Sequence, residues 1–481
     1  MDHLEHIAPI APAERHDHGD SPPAGPDPHA RGSWLPLVAT CLGTFLLLVY
    51  ATIVTVALPG IAHDLSAGFG ALQWITDVYT LALAGLLLGM GSLGDTFGRK
   101  RLYVIGLAVF TVATLGCGLA GDVRLLIAAR AVQGVAGAAM FATLLPLIGL
   151  TYSGRDKARA FAVWGAVAGA AAGVGNVMGG MLTQLLSWRW IFHGALPVCV
   201  ATLLLSMKVL AADARTPIRV DWPGIVSFTL AATGVTFGFV RGGEAGWGDP
   251  ATLLGFAVGA GALTAFVLVE RASAHPVIPL ALFRKPDFDG LLIASGAYYL
   301  AAFAFLPVLS LWLQSDVGLS SFATSLVLTV QPLAFFATSA SAGGALHRVP
   351  ARWAVGGGCA LVGVGDLALL AVEPGSSWPV LLPGLVLTGV GAGLVSPVLP
   401  ATAMAAAPPA HSGVAAAAAN SARQLGLALG IALLGTAFHA YRLHASGLHA
   451  VFLLAGFIGL GGGLAAVALS AYAARRGLFA G

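Results

Sequence analysis

Apolar residues in this 481-residue chain run in long blocks, and charged residues mark the edges of the blocks. Between Arg31 and Asp64 there is no Asp, Glu, Lys or Arg, and between Asp64 and Asp95 there is only Asp77. The stretches from Arg101 to Asp122 and from Arg159 to Arg189 are clear as well. About 20 helical residues cross a hydrocarbon core of about 30 Å. The pattern therefore predicts fourteen spans, near 34–59, 71–92, 102–121, 124–150, 160–184, 190–207, 223–240, 251–269, 290–314, 322–346, 353–372, 378–403, 413–438 and 449–473. No charge separates Glu373 from Arg423, so the boundary between the twelfth and thirteenth spans rests on Pro408, Pro409 and His411. Helices are the predicted form, because lipid leaves unpaired backbone groups unsatisfied. The alternating strands of roughly ten residues that build a membrane barrel are not in the pattern.

Composition agrees: 57% of residues are hydrophobic and 9% charged, against about 25% charged in an average soluble domain. With both termini on the cytoplasmic side, the inside segments hold 18 Lys and Arg, and the outside loops hold 4: Arg124, Arg189, Arg241 and Arg442. That bias places both ends in the cytoplasm of a cytoplasmic-membrane protein and favours an even number of spans. The net charge of +3 is spent on these topology signals. It forms no basic-aromatic stripe, so no nucleic-acid partner is expected.

The first 33 residues differ from the rest. They hold Pro22, Pro23, Pro26 and Pro28, several acids and His3, His6, His16, His18 and His29. They read as a disordered cytoplasmic tail, with metal sensing as the alternative. The apolar stretch that follows is too long for a signal peptide. Cys41, Cys117, Cys199 and Cys359 fall inside spans without metal-ligand spacing and read as small buried residues. His439, His444 and His449 recur every five residues, which suits neither a helix face nor a common metal motif.

An ionisable residue inside lipid is a functional hypothesis by default. Asp77 lies early in the second span and Arg130 early in the fourth, at similar depth, so on neighbouring helices they would face each other across a cavity. A carboxyl that feels both desolvation and a cation can exchange a proton when substrate arrives; a fixed ion pair is the alternative. Gln133 shares a helix face with Arg130, as a polar relay or as interhelical glue. Asp366 lies nearer the outer end of the eleventh span.

Gly165, Gly169 and Gly173, and then Gly175 and Gly179, recur every four residues in the fifth span. Small residues at that spacing let helices approach closely. After the second span the chain reads Gly91-Ser92-Leu93-Gly94-Asp95-Thr96-Phe97-Gly98-Arg99-Lys100-Arg101. This is predicted as a tight loop in which Asp95 pairs with a basic residue or caps a helix.

That loop resembles the signature loop of the major facilitator superfamily, matching it at Gly91, Leu93, Asp95, Gly98, Arg99 and Lys100. Thr52-Ile53-Val54, Val56-Ala57-Leu58-Pro59, Trp74 to Tyr79, Arg130 with Gln133-Gly134, Ser187-Trp188-Arg189-Trp190-Ile191-Phe192 and Arg423-Gln424-Leu425-Gly426 are similar to the fourteen-helix drug:proton antiporter branch. The resemblance runs from about residue 36 to 473. It implies an all-α membrane fold of two six-helix bundles, 34–211 and 286–481, with two helices inserted in the linker 212–285. The bundles would rock about a central cavity, with Asp95 holding the inward-closed state. The loop from Gly344 to Arg352 reads as a second copy that lacks the aspartate.

The chain departs from the branch twice. Tyr50 stands where the first helix usually has an aspartate, and Asn176 follows Gly175 where the fifth-helix antiporter motif usually has proline, while Gly179 and Gly180 are kept. The missing acid shifts the expected proton or substrate site to Asp77, with Arg130, Gln133 and Tyr50 beside it. The function implied is proton-coupled export of a small drug, antibiotic or secreted metabolite by a monomer. The alternatives are a carrier of one metabolite and a lipid-handling or uncoupled protein on the same fold. No nucleophile-base pair, metal cluster or Walker loop is read in the chain, so neither an enzyme nor a cofactor is expected.

Overall fold

A computed structural model of the chain describes residues 34–211, 213, 220–273, 276–346, 349–373, 375–408, 412–441 and 444–475. The expected tail, 1–33, lies outside them, as do His347 and Arg348 of the second loop copy.

Among the described residues, fourteen helices are long and apolar enough to cross a membrane. They are α1 (Leu35–Asp64), α2 (Phe69–Phe97), α3 (Arg99–Leu119), α4 (Val123–Thr151), α5 (Gly154–Leu185), α6 (Trp190–Val209), α7 (Trp222–Ala245), α8 (Pro250–Ala272), α9 (Pro286–Ser315), α10 (Ser321–Ser341), α11 (Ala351–Ala371), α12 (Trp378–Ala406), α13 (Val414–Ala440) and α14 (Ser446–Ala473). Most run past their predicted ends, because the hydropathy signal stops at the first charge while the backbone ladder continues.

Short polar residues start several of them. Asp122 accepts a hydrogen bond from Leu125 N at 2.9 Å to open α4, and Asp221 accepts from Gly224 N at 2.9 Å to open α7. Asp249 accepts from Ala251 N and Thr252 N at the head of α8, where Pro250 follows it. These satisfy amides that have no partner inside the helix. α2 and α7 end at Gly98 (φ 95°) and Gly246 (φ 97°), a backbone that side chains with a Cβ rarely adopt.

Helix pairing repeats with an offset of eight. In the first half α1 packs on α5, α2 on α4 and α3 on α4; in the second α9 packs on α13, α10 on α12 and α11 on α12. Two six-helix bundles follow. They meet along two seams related by the same offset, α2 with α13 and α5 with α10. The hairpin of α7 and α8 is inserted between them, and α7 rests on both α2 and α13. Large apolar side chains such as Val112, Leu185 and Leu464 stand about 70% exposed on the outer surface, which suits lipid rather than water.

Candidate functional site: a cavity between the two halves

The signature segment is almost wholly helical. α2 continues through Gly91 and Asp95 to Phe97, and α3 begins at Arg99, so the predicted loop shrinks to Gly98 alone. This tight junction sets Asp95 and Arg99 four residues apart. Arg99 donates to Asp95 Oδ1 through Nε at 3.0 Å and Nη2 at 2.8 Å. The first amides of α3 are capped from afar: Arg99 N donates to Asp213 Oδ2 at 2.9 Å and Lys100 N to Oδ1 at 3.3 Å. Among the described residues no ion pair ties this junction to the second half.

Arg130 is buried at the centre of the first bundle. Its Nε donates to the Ile75 carbonyl (3.1 Å), Nη1 to Gln133 Oε1 (2.6 Å) and Nη2 to the Tyr50 carbonyl (3.3 Å), and its guanidinium lies 4.3 Å over the Tyr79 ring. Gln133 Nε2 passes the chain on to Thr114 Oγ1 at 2.8 Å. One network thus ties α1, α2, α3 and α4 together. Tyr50 belongs to its wall: the hydroxyl donates to the Ile191 carbonyl at 2.9 Å, and the ring stacks on Phe192 and meets Phe110 edge-on.

Asp77 does not join Arg130, contrary to the expectation from equal depth. Successive helical residues are about 100° apart, so Asp77 is turned about 200° from Ile75 and from Tyr79, which both serve Arg130. It lies instead on the face of α2 that carries Trp74 and Leu81. Trp74 rests on Phe237 of α7, and Leu81 clusters with Ala232 of α7 and Ala428 of α13. There the Asp77 carboxyl is fully buried, and neither oxygen has a hydrogen-bond partner. Thr236 on the same stretch of α7 is also buried with its hydroxyl unpaired. Asp366 on α11 is likewise buried with both oxygens unpaired.

A cavity of about 550 Å³ lies between the halves, away from the Arg130 network. α1 and α2 wall it with Thr52, Thr55, Thr76 and Thr80, and α5 with Trp164 and Asn176. From the second half come Tyr299, Phe335 and Phe336, and a polar strip of Asn420, Arg423 and Gln424 on α13. Two helices are interrupted at this wall: α9 between Phe303 and Leu306, and α12 between Val395 and Val398. Proline at 307 and 397 explains both, since neither can donate to the preceding turn. Asp77, Arg130, Gln133 and Tyr50 do not border the cavity; the chain neighbours of Asp77 and Tyr50 do.

The glycines of α5 work on two faces. A Cβ on Gly175 would lie 2.5 Å from Thr52 Oγ1, and one on Gly179 would lie 2.6 Å from the Ile53 carbonyl, so these two seat α5 on α1. On the other face a Cβ on Gly180 would lie 2.5 Å from Ser325 of α10, on Gly173 3.6 Å from Thr329, and on Gly169 3.0 Å from the Phe336 ring. Gly165 has nothing within 4 Å. The seam is thus tight near the end of α5 and opens toward its start. Polar bridges between the halves gather at the tight end: Gln73 Nε2 donates to the carbonyls of Ile431 and Ala432 (3.1 and 3.3 Å), Gln314 Nε2 to Val56 (3.1 Å), and Phe322 N to Gln184 Oε1 (3.0 Å).

The sequence profile of the Major Facilitator Superfamily matches residues 40–275 and 291–477. The chain belongs to the major facilitator superfamily. This facilitator is 34% identical over 419 residues to the puromycin resistance protein pur8 of Streptomyces alboniger, covering 86% of this chain and 82% of that protein. It is 37% identical over 412 residues to the cephamycin export protein CmcT of Amycolatopsis lactamdurans, covering 83% and 84%. It is 31% identical to the multidrug resistance protein Stp of Mycobacterium tuberculosis, covering 85% and 77%. In fold it is similar to the crystal structure of a peptide transporter, POT, in complex with sulfate, with a TM-score of 0.69 at 16% identity, covering 92% and 95%. It is a multi-pass membrane protein.

Three features of this facilitator escaped the sequence. Asp213, 114 residues from the helix it caps, carried no local signal. Gln73 and Gln314 are uncharged polar residues near span ends, and no local signal marks them as bridges. Arg423 was legible: it sits inside a span without a paired acid, by the same rule that singles out Asp77.

Proposed function

We propose that this facilitator exports a small amphipathic molecule, a drug, antibiotic or secreted metabolite, across the plasma membrane in exchange for protons, by alternating access. The observation that carries the reading is the cavity, walled by both halves where the repeat-related seams meet. Its size and its mixture of aromatic and polar walls suit a drug-sized ligand. The resistance and export activities named for its relatives support the same direction of transport.

Both termini are assigned to the cytoplasm by the Lys and Arg bias. The bridges at Gln73, Gln314 and Gln184 then close the outer side, and the cavity faces inward. The Asp95–Arg99 pair stays within its own half, in keeping with a junction that engages the second half only when the inner side shuts. The bundles 34–211 and 286–481 rock as units, and one chain suffices because the cavity is complete within it.

Asp77 is assigned the exchangeable proton. An unpartnered carboxylate inside the membrane is costly to charge, so its ionisation is coupled to movement of the seam between α2, α7 and α13. The test is proton flux in everted vesicles energised with a pH gradient. Puromycin, a cephamycin and a panel of dyes would be added in turn. At least one compound is expected to dissipate the gradient in the wild type, and none in Asp77→Asn inserted at equal level. Full coupling in that variant removes Asp77 from the mechanism; no response to any compound argues against proton exchange.

A further inference from the structure

The wall of the cavity carries charge of one sign. Among the described residues that line it there is no Asp, Glu, Lys or His, and Arg423 is the one cation. The two buried acids nearest in kind, Asp77 and Asp366, lie outside the wall. No ion pair joins Arg423 to a carboxylate among the described residues. Its guanidinium is held 4.5 Å over the Tyr299 ring and 5.9 Å from that of Tyr298, and its Nε is buried without a hydrogen-bond acceptor. Ring contact orients a guanidinium but leaves this Nε–H without an acceptor.

Asn420 lies one turn from Arg423 on the same face of α13, and Gln424 follows it, so amide groups flank the cation. Trp164, Phe335 and Phe336 supply flat apolar walls in the same space. A ligand that answers both parts has an acceptor-rich anionic group and an aromatic body. A lipophilic cation would meet an uncompensated positive charge in a poorly solvated cavity, where repulsion is weakly screened.

We infer that the cavity selects organic anions, a carboxylate or comparable single anionic group on an aromatic and largely apolar body, with the anion seated on Arg423. This rests on reading the cavity as the transport site. A guanidinium presents paired donors to a carboxylate, and one hydrogen bond to a charged group corresponds to about tenfold to a hundredfold in affinity.

The test is binding to the purified full-length protein in nanodiscs at pH 7 with no gradient, so that it is blind to proton coupling. Three probes share one ring system: anthracene-2-carboxylate, anthracene-2-carboxamide and (anthracen-2-ylmethyl)trimethylammonium. Quenching of tryptophan fluorescence, to which Trp164 in the wall contributes, reads occupancy. The carboxylate is expected to bind at least tenfold more tightly than the amide and the ammonium. Arg423→Gln is expected to abolish that preference while leaving the amide within about twofold, and Arg423→Lys to keep part of it. If Arg423→Gln fails to fold, the order of the three probes on the wild type still decides. Equal or tighter binding of the ammonium overturns the inference, as does an undiminished carboxylate preference in Arg423→Gln. Failure of all three probes to bind overturns the assignment of this cavity as the substrate site, and with it the inference.

Discussion

The bridges that close one side of the cavity give a prediction whose size follows from the geometry. Gln73 is buried, and its amide nitrogen is shared between the carbonyls of Ile431 and Ala432 on the other half. Those carbonyls belong to the interior of α13 and keep their helical partners, so Gln73→Ala leaves no orphaned acceptor. Only the interhelical bond is lost, worth about 0.6 to 1.7 kcal/mol in a membrane protein. Gln314 makes an equivalent bond to Val56 from the other direction. At about 1 kcal/mol each, the single variant should raise the population open on this side about fivefold, and Gln73→Ala with Gln314→Ala about 30-fold. Thr55, which borders the cavity, is replaced by cysteine as reporter. The four native cysteines are buried and free, and serine replacement of any that react keeps the readout clean. The rate of reaction with a membrane-impermeant maleimide added from the outside should rise by those factors. Rates within twofold of the parent in the double variant would refute the claim that these bridges hold the outer side shut.

Other consequences are as direct. Gly179→Ala sets a Cβ 2.6 Å from the Ile53 backbone carbonyl, so it should destabilise the protein by about 1–3 kcal/mol; Gly165→Ala, with nothing within 4 Å, should leave the detergent melting temperature unchanged or raise it. Tyr50→Phe removes one hydrogen bond to the Ile191 carbonyl and should cost about 1 kcal/mol of stability with substrate affinity unchanged; an altered Kd would mean that this side chain does reach the cavity. Asp213→Ala uncaps α3 and should lower stability by about 1 kcal/mol, measured by thermal or denaturant unfolding, and Asp213→Asn should recover part of it.

Much of the architecture is local and therefore readable. Apolar length, the charges between blocks and short cap residues such as Asp122 and Asp249 act within one helix or one turn, so the fourteen spans and their order are present in the chain itself. The family pattern at Asp95 to Lys100 is legible too, although its glycines read as a loop and fold as helix, because the ladder of α2 tolerates Gly91 and Gly94 and only Gly98 needs a positive φ.

Rotation of each helix about its own axis was not readable. In lipid the outward and inward faces are both apolar, so hydropathy has little periodicity from which to orient a helix. Depth alone therefore paired Asp77 with Arg130, and the family resemblance set Tyr50 beside them. Packing decided otherwise: α4 draws Ile75 and Tyr79 toward Arg130, which turns Asp77 to α7 and α13. Sequence by itself determined how many helices there are, where they start and which residues are costly to bury. Only the tertiary structure decided which of those residues share a space, because that depends on the azimuth of each helix, set by contacts between distant segments, as between Gln73 and Ala432, 359 residues apart.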